Sequence, residues 1–264
     1  MTTADAVPAE EFAAALRARR RLLGYWSCLD APAAVERLAA VGWDYLVLDA
    51  QHGLFGYSGM LADLQAIDSR ASTAVGLVRV ESKELAAIGH ALDAGAAGVI
   101  VPLVDSPQDA ADAVAAVRYP PAGRRSFGPM RSQLYIGPKP ADANRQNVVL
   151  AMIETAAGLA EVERICAVPG LDGVYVGPSD LRIALGGSGP ADSSVDAEFE
   201  QALQRIAKAA ESAGIAAGIH THDGRVAARR LGQGFTFATV ASDLIHLEQA
   251  SRNHLDAARG EPRR

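Results

Sequence analysis

Two apolar stretches of this chain each run out into a carboxylate. Val148 to Ile153 stops at Glu154-Thr155, and Gly173 to Val176 is followed by Gly177-Pro178-Ser179-Asp180. Both are too apolar to alternate like half-solvated strands, so each reads as a buried strand of a parallel sheet. Between them Leu159, Val162, Ile165 and Cys166 recur at helical spacing, which makes Ala156 to Ala167 the crossover helix that parallel strands need. Glu154 and Asp180 then leave the same edge of one sheet, where open carboxylates serve a site more often than packing. With no obvious nitrogen or sulfur partner they form a hard, oxygen-only donor set. That set suits Mg²⁺ or Mn²⁺, with Co²⁺ as a further fit, and leaves water and a ligand to complete the octahedron. Capping of the following helices is the structural alternative, because acidic groups suit helix N-termini. Metal ligation is the preferred reading, and the helix start after Gly177 offers free N–H groups to a substrate carboxylate.

Other strand ends carry chemistry too. Asp49 closes the strand WDYLVLD and His52 follows three residues later, the pattern of a base oriented by an acid; a loop histidine bonded to backbone fits equally well. Arg79 lies on a third strand, where burial demands an anionic partner, either a protein carboxylate or a substrate oxygen. His220-Thr221-His222 is a competing set, since i, i+2 spacing turns both rings to one side of an extended strand end, as in a zinc hydrolase. The three lysines, Lys83, Lys139 and Lys208, fall in loops or helices. Imine chemistry needs a desolvated strand-end lysine, so it is set aside.

The elements that would position these groups alternate along the whole chain. Strands are expected at Arg21 to Leu29, Asp44 to Asp49, Ala74 to Val80, Ala97 to Leu103, Val148 to Ile153, Gly173 to Val176, Ile215 to His220 and Phe235 to Val240. Helices precede, separate and follow them, from Glu10 to Arg20 through Asp196 to Ala213 to a last one from Ser242 to Arg259. Gly186 to Ser194 reads as a flexible loop. Eight strand-helix alternations predict a closed (β/α)8 barrel of α/β class, one domain over 1–264 with a polar lead at 1–9. Tyr119 to Gln146, rich in Pro, Gly and Arg, is longer than a minimal barrel connection. Because it feeds a strand from the helix side, it is expected to cover the face opposite the site. Only by folding over the rim or onto a neighbouring subunit could Arg124, Arg125 or Arg131 meet an anionic substrate.

Composition narrows the partners. At 264 residues and 49% hydrophobic the chain buries a full core, and a net charge of −6 argues against nucleic acid and anionic membrane. Cys28 and Cys166 sit in apolar segments without ligand spacing, so buried free thiols in a reducing cytoplasm are expected. The N-terminus lacks the order of a signal peptide, and no stretch approaches ~20 uninterrupted apolar residues. A soluble, cytoplasmic protein is the expectation.

Taken together, LDAQHG, LVRV, RYPPAGRRSFG, MIET and VYVGPSDL stand in an order and spacing that resembles the HpcH/HpaI aldolase family, over about Phe12 to Ala250. The resemblance implies a β/α barrel whose divalent metal, held by Glu154 and Asp180, is chelated by pyruvate. It implies that Arg79 stabilises the enolate, that His52 with Asp49 moves protons through water, and that backbone at Ser179 and Asp180 holds the substrate carboxylate. It further implies a homo-oligomer, hexamer or trimer, whose C-terminal helix packs across subunits. Many members carry Asp-Gly-Glu-His where this chain has Asp49-Ala50-Gln51-His52, and Gln where it has Met152. Gln51 and Met152 are therefore expected to line a substrate pocket that is less acidic and more apolar than that of the sugar-acid enzymes. The reaction implied is cleavage or formation of a 4-hydroxy-2-oxo acid from pyruvate and an aldehyde. The rivals are the zinc hydrolase on His220 and His222, and a barrel that binds a 2-oxo acid without turnover.

Overall fold

The computed structural model describes residues 8–69 and 73–260. Most of the polar lead expected at 1–9 lies outside them. Eight parallel strands close into a barrel in chain order: β1 (Leu22–Ser27), β2 (Tyr45–Asp49), β3 (Val75–Arg79), β4 (Gly98–Val101), β5 (Val148–Ile153), β6 (Gly173–Val176), β7 (Ala216–Thr221) and β8 (Phe237–Ser242). Around it run α1 (Pro8–Arg17), α2 (Pro32–Ala39), α3 (Tyr57–Ile67), α4 (Leu85–Asp93), α5 (Pro107–Val117) and α6 (Pro140–Gln146). They are followed by α7 (Ala156–Ala160), α8 (Val162–Cys166), α9 (Pro178–Ala184), α10 (Asp196–Ala213), α11 (Gly224–Leu231) and α12 (Asp243–Arg259). The expected (β/α)8 architecture is the observed one.

Two shells of apolar contact hold it. Between strands and helices lie Leu46, Leu48, Val78, Val99, Val174 and Ile206, all buried. Inside the barrel, side chains of alternate strand residues fill the lumen, among them Tyr45, Leu77, Leu150, Tyr175 and Phe237. Glycine makes room for the rings. A Cβ at Gly24 would fall 2.3 Å from the Tyr45 ring, and one at Gly218 would fall 2.2 Å from the Phe237 ring. Below them α1 stoppers the barrel, with Phe12 and Leu16 buried and the Phe12 ring 5.7 Å from that of Tyr45.

Several boundaries differ from the sequence expectation. The crossover helix is broken at Glu161 into α7 and α8. β8 begins two residues late because the Phe235 N–H is taken by the Arg230 carbonyl, and it runs two residues further through a bulge at Ala241, whose φ is 56°. The stretch expected as a flexible loop is tied by Asp192, which accepts the N–H groups of Ser188 and Ser194. The Tyr119–Gln146 connection folds locally on the helix-to-strand side and contains α6, which its Pro/Gly content masks in the sequence. There Arg125 bonds Asp93 and Asn147, Arg131 bonds Asp68, and Arg124 bonds Asp112. These arginines have protein carboxylates as partners, which is the covering role, and the substrate-facing alternative is not met.

Candidate active site

The C-terminal ends of the strands converge on a cavity of about 220 Å³. Register explains the convergence. Ile153 pairs with Val176, so Glu154 leaves β5 level with Gly177 as it leaves β6. Asp49 likewise pairs with Arg79 across β2 and β3.

Glu154 is buried, and the capping alternative fails for it. Thr155 is the N-cap of α7, accepting the Gly158 N–H, while Glu154 Oε1 accepts the Leu103 N–H at 2.8 Å. Its other oxygen faces the next strand end, where a Cβ on Gly177 would lie 2.5 Å away. Burial pushes the Glu154 carboxyl up against the pull of the Leu103 N–H, and the negative charge of Asp180 adds to that rise. Asp180 is exposed in the first turn of α9, which has Gly177 as its N-cap. Two neighbouring carboxylates, one buried and one open to the cavity, make a place where positive charge is wanted. A glycine between them leaves it clear. The donor set fits a divalent cation that also takes water and substrate oxygens. Among the described residues no cluster of three or more His, Cys, Asp or Glu that could hold a metal is found, so substrate and water would complete the shell.

Arg79 is buried and held as a fork. Its Nε donates to Asp49 Oδ1 at 2.9 Å and its Nη2 to Oδ2 at 2.5 Å, while the guanidinium carbon sits 5.0 Å over the Trp26 ring. Asp49 also accepts the Trp26 indole N–H at 3.2 Å and the backbone N–H groups of Gln51 and His52. Burial pushes the Asp49 carboxyl up, but the Arg79 bonds and charge, with the His52 N–H, outweigh it and hold the group below its usual range. Of the Asp49–His52 pair, the carboxylate grips the backbone N–H of His52 and is forked to Arg79, and no hydrogen bond joins it to the imidazole among the described residues. His52 itself lines the cavity, as do Arg79, Met152, Ser179 and Asp180. Gln51 does not; its side-chain amide oxygen is buried without a hydrogen-bond partner among the described residues.

The two histidines of the rival zinc site part company. His220 lines the cavity and bonds Thr239 Oγ1 through Nδ1, whereas His222 lies beyond the strand end, exposed and 3.4 Å from Asp223. β7 ends at Thr221, so the two-residue periodicity that should align the rings stops between them. Sequence reasoning did not assign Trp26 to the site. It shares the inward face of β1 with Leu22 and Gly24, and that parity was the available signal. Both cysteines are free thiols as expected, Cys166 buried but Cys28 only half-buried, and each is pushed up to about 12 chiefly by burial.

Comparison with known proteins gives the site a context. The family model for HpcH/HpaI aldolase/citrate lyase matches residues 22–250. The chain is 37% identical over 245 residues to the hydroxypyruvate/pyruvate aldolase of Paraburkholderia phytofirmans, covering 90% of this chain and 93% of that one. It is 37% identical over 256 residues to the 5-keto-4-deoxy-D-glucarate aldolase of Klebsiella pneumoniae, covering 96% and 98%. A crystal structure of an HpcH/HpaI aldolase/citrate lyase family protein from Burkholderia cenocepacia superposes with a TM-score of 0.84 at 33% identity, over 95% of this chain and 99% of that one. On the extent of these matches, the protein belongs to the HpcH/HpaI aldolase/citrate lyase family and is one of its aldolases.

Proposed function

We propose that this aldolase makes or breaks the carbon–carbon bond of 4-hydroxy-2-oxo acids through a pyruvate-type enolate, with Glu154 and Asp180 as metal ligands and Arg79 as the enolate-stabilising group. The observation that carries this reading is the joint opening of Asp180 and Arg79 onto one cavity, with Glu154 buried beside it. Aldolases of this family use a divalent metal. Held by Glu154 and Asp180, such an ion, Mg²⁺, Mn²⁺ or Co²⁺, would supply positive charge to the keto and carboxylate oxygens of the 2-oxo acid.

The chain's own groups do the rest. Ser179 and Asp180 stand in the first turn of α9, where backbone N–H groups lack intrahelical acceptors and can receive the substrate carboxylate. Arg79, fixed by Asp49, keeps Nη1 without a protein partner among the described residues and aims preorganised N–H donors at an oxygen that becomes negative. His52, exposed at the mouth, exchanges protons with the aldol hydroxyl through water. Met152 supplies an apolar wall.

Two of the relatives are named for pyruvate, hydroxypyruvate or a keto-deoxy sugar acid, which supports a small 2-oxo acid as nucleophile. The homo-oligomer, hexamer or trimer, that the family resemblance implies is supported by α12, on which Ile245, Leu247 and Leu255 are 41–59% exposed and only Asp243 is buried. Among the described residues no helix is long and apolar enough to cross a membrane.

The test is deuterium exchange into the pyruvate methyl group, followed by NMR with and without chelator. Exchange that needs added metal and is lost in Asp180→Ala supports the reading. Metal-independent exchange removes the cation from it, and no exchange at all returns the protein to a 2-oxo-acid binder.

A further inference from the structure

Past the end of β6, which carries Asp180, the cavity wall continues with His220 of β7 and Trp26 of β1, whose rings meet edge to face at 5.2 Å. Behind His220 runs a chain of hydroxyls. Its Nδ1 lies 2.9 Å from Thr239 Oγ1, and that oxygen lies 2.5 Å from the hydroxyl of Tyr175. Tyr175 and Thr239 are fully buried.

The protons in this chain have one consistent arrangement. The Tyr175 O–H sits in the dry lumen, and Thr239 Oγ1 is its only hydrogen-bond partner among the described residues, so it donates there. Thr239 has one hydroxyl proton; already accepting from Tyr175, it donates to His220 Nδ1. His220 is thereby fixed as the tautomer protonated at Nε2. That nitrogen has no protein partner among the described residues, and it belongs to the ring that lines the cavity. Burial and the nearby Arg79 charge push the imidazole down to about 4, so the ring is neutral at working pH.

We infer that His220 is a specificity-determining residue that donates its Nε2–H to an oxygen of the acceptor aldehyde, so that the site selects aldehydes bearing a hydroxyl next to the reacting carbonyl. This rests on the aldolase reading above, in which the 2-oxo acid occupies the side of Arg79, Ser179 and Asp180. The aldehyde then falls to the wall of Trp26 and His220, where His220 carries the polar donor and His52 stays at the mouth. Trp26 and Met152 on either side are apolar faces and cannot satisfy a hydroxyl. Because Trp26 is tied to Asp49 through its indole N–H, that donor is spent and does not compete for substrate.

The experiment uses the full chain loaded with Mn²⁺ and pyruvate, and compares glycolaldehyde with propanal, two aldehydes of equal size in which a hydroxyl replaces a methyl. The ratio of their kcat/KM values should favour glycolaldehyde and should fall about tenfold in His220→Leu, the worth of one neutral hydrogen bond. In His220→Gln, which keeps an N–H donor, part of the preference should return. Thr239→Val should lower the ratio and Thr239→Ser should restore it, a contrast that a purely structural role for residue 239 would not give. In ¹⁵N-histidine spectra of the metal-free protein, His220 should show a protonated Nε2 and a bare Nδ1.

The opposite tautomer, or a ratio unmoved by His220→Leu, overturns the inference. So does an equal fall for both aldehydes. Deuterium exchange into pyruvate separates the two levels. Exchange with an unmoved ratio removes only the role of His220, whereas absence of exchange in the wild type removes the aldolase reading itself.

Discussion

Arg79 carries most of the weight at the residue scale, because a buried guanidinium gripped on one side by Asp49 has its free donors aimed rather than mobile. Arg79→Ala should therefore lower kcat by ~10²–10³, the usual cost of one preorganised donor to a developing oxyanion. Mn²⁺ affinity, read by titration of the metal-free protein, should change far less, since Arg79 is not among the proposed ligands. Equal activity would remove it from the mechanism. Asp49→Asn should weaken the same step indirectly: the fork to Arg79 loses its negative charge and one of its two acceptor oxygens, so the buried guanidinium is held less firmly. Both residue types were readable in the chain, as strand-end groups needing partners. What the sequence could not give was the pairing. It left Arg79 to choose between a protein and a substrate anion, and the structure assigns one face of the guanidinium to Asp49.

At the scale of elements, the distance between Glu154 and Asp180 is set by strands that end level and by a glycine where they part. Gly177→Ala would put a methyl 2.5 Å from Glu154 Oε2 and 2.7 Å from Met152 Cε, so one of them must move. The variant should keep its far-ultraviolet circular dichroism, lose ~1–3 kcal/mol of stability by overpacking, and bind Mn²⁺ at least tenfold more weakly. Unchanged metal affinity would mean that Glu154 is not a ligand. The start of α5 follows from local sequence: Ser106 caps it by accepting the Asp109 N–H, ahead of Pro107 at the first position. Helix α6 was missed because its start, Gly-Pro-Lys-Pro, carries the composition of a loop, and its place comes from Tyr119, Ile136 and Ala143 packing together.

For the molecule as a whole, one buried charge conflicts with stability. Asp63 in α3 is fully buried with both oxygens unpartnered among the described residues, and burial together with the Asp30 and Asp243 charges pushes its carboxyl up to about 7. The folded chain thus holds a proton there that the unfolded chain releases near pH 4, so this group's contribution is intact in acid and is lost as pH rises towards 7. By pH 8 the loss is on the order of 4 kcal/mol, at ~1.4 kcal/mol per pKa unit. Asp63→Asn should raise Tm at pH 8 and leave it nearly unchanged at pH 4; equal shifts at both would mean the residue does not titrate with folding. Oligomerisation is tested at the same scale. Leu247→Glu or Leu255→Glu on α12 should lower the mass seen by sedimentation velocity if this helix packs across subunits, and an unaltered mass would place the interface elsewhere.

The amino-acid sequence by itself determined the barrel, since strand and helix periods alternate eight times and local hydrophobic pattern is a local property. It also determined which carboxylates, arginine and histidine stand at strand ends, because the end of an apolar run is visible without knowing its neighbours. The tertiary structure alone decided which of them meet. Closure of β1 against β8 brings Trp26 and His220 to one wall, and the register of β2 and β3 gives Asp49 to Arg79. Termination of β7 at Thr221 separates His220 from His222. Pairing across a barrel depends on residues far apart in the chain, and no spacing within one segment encodes it.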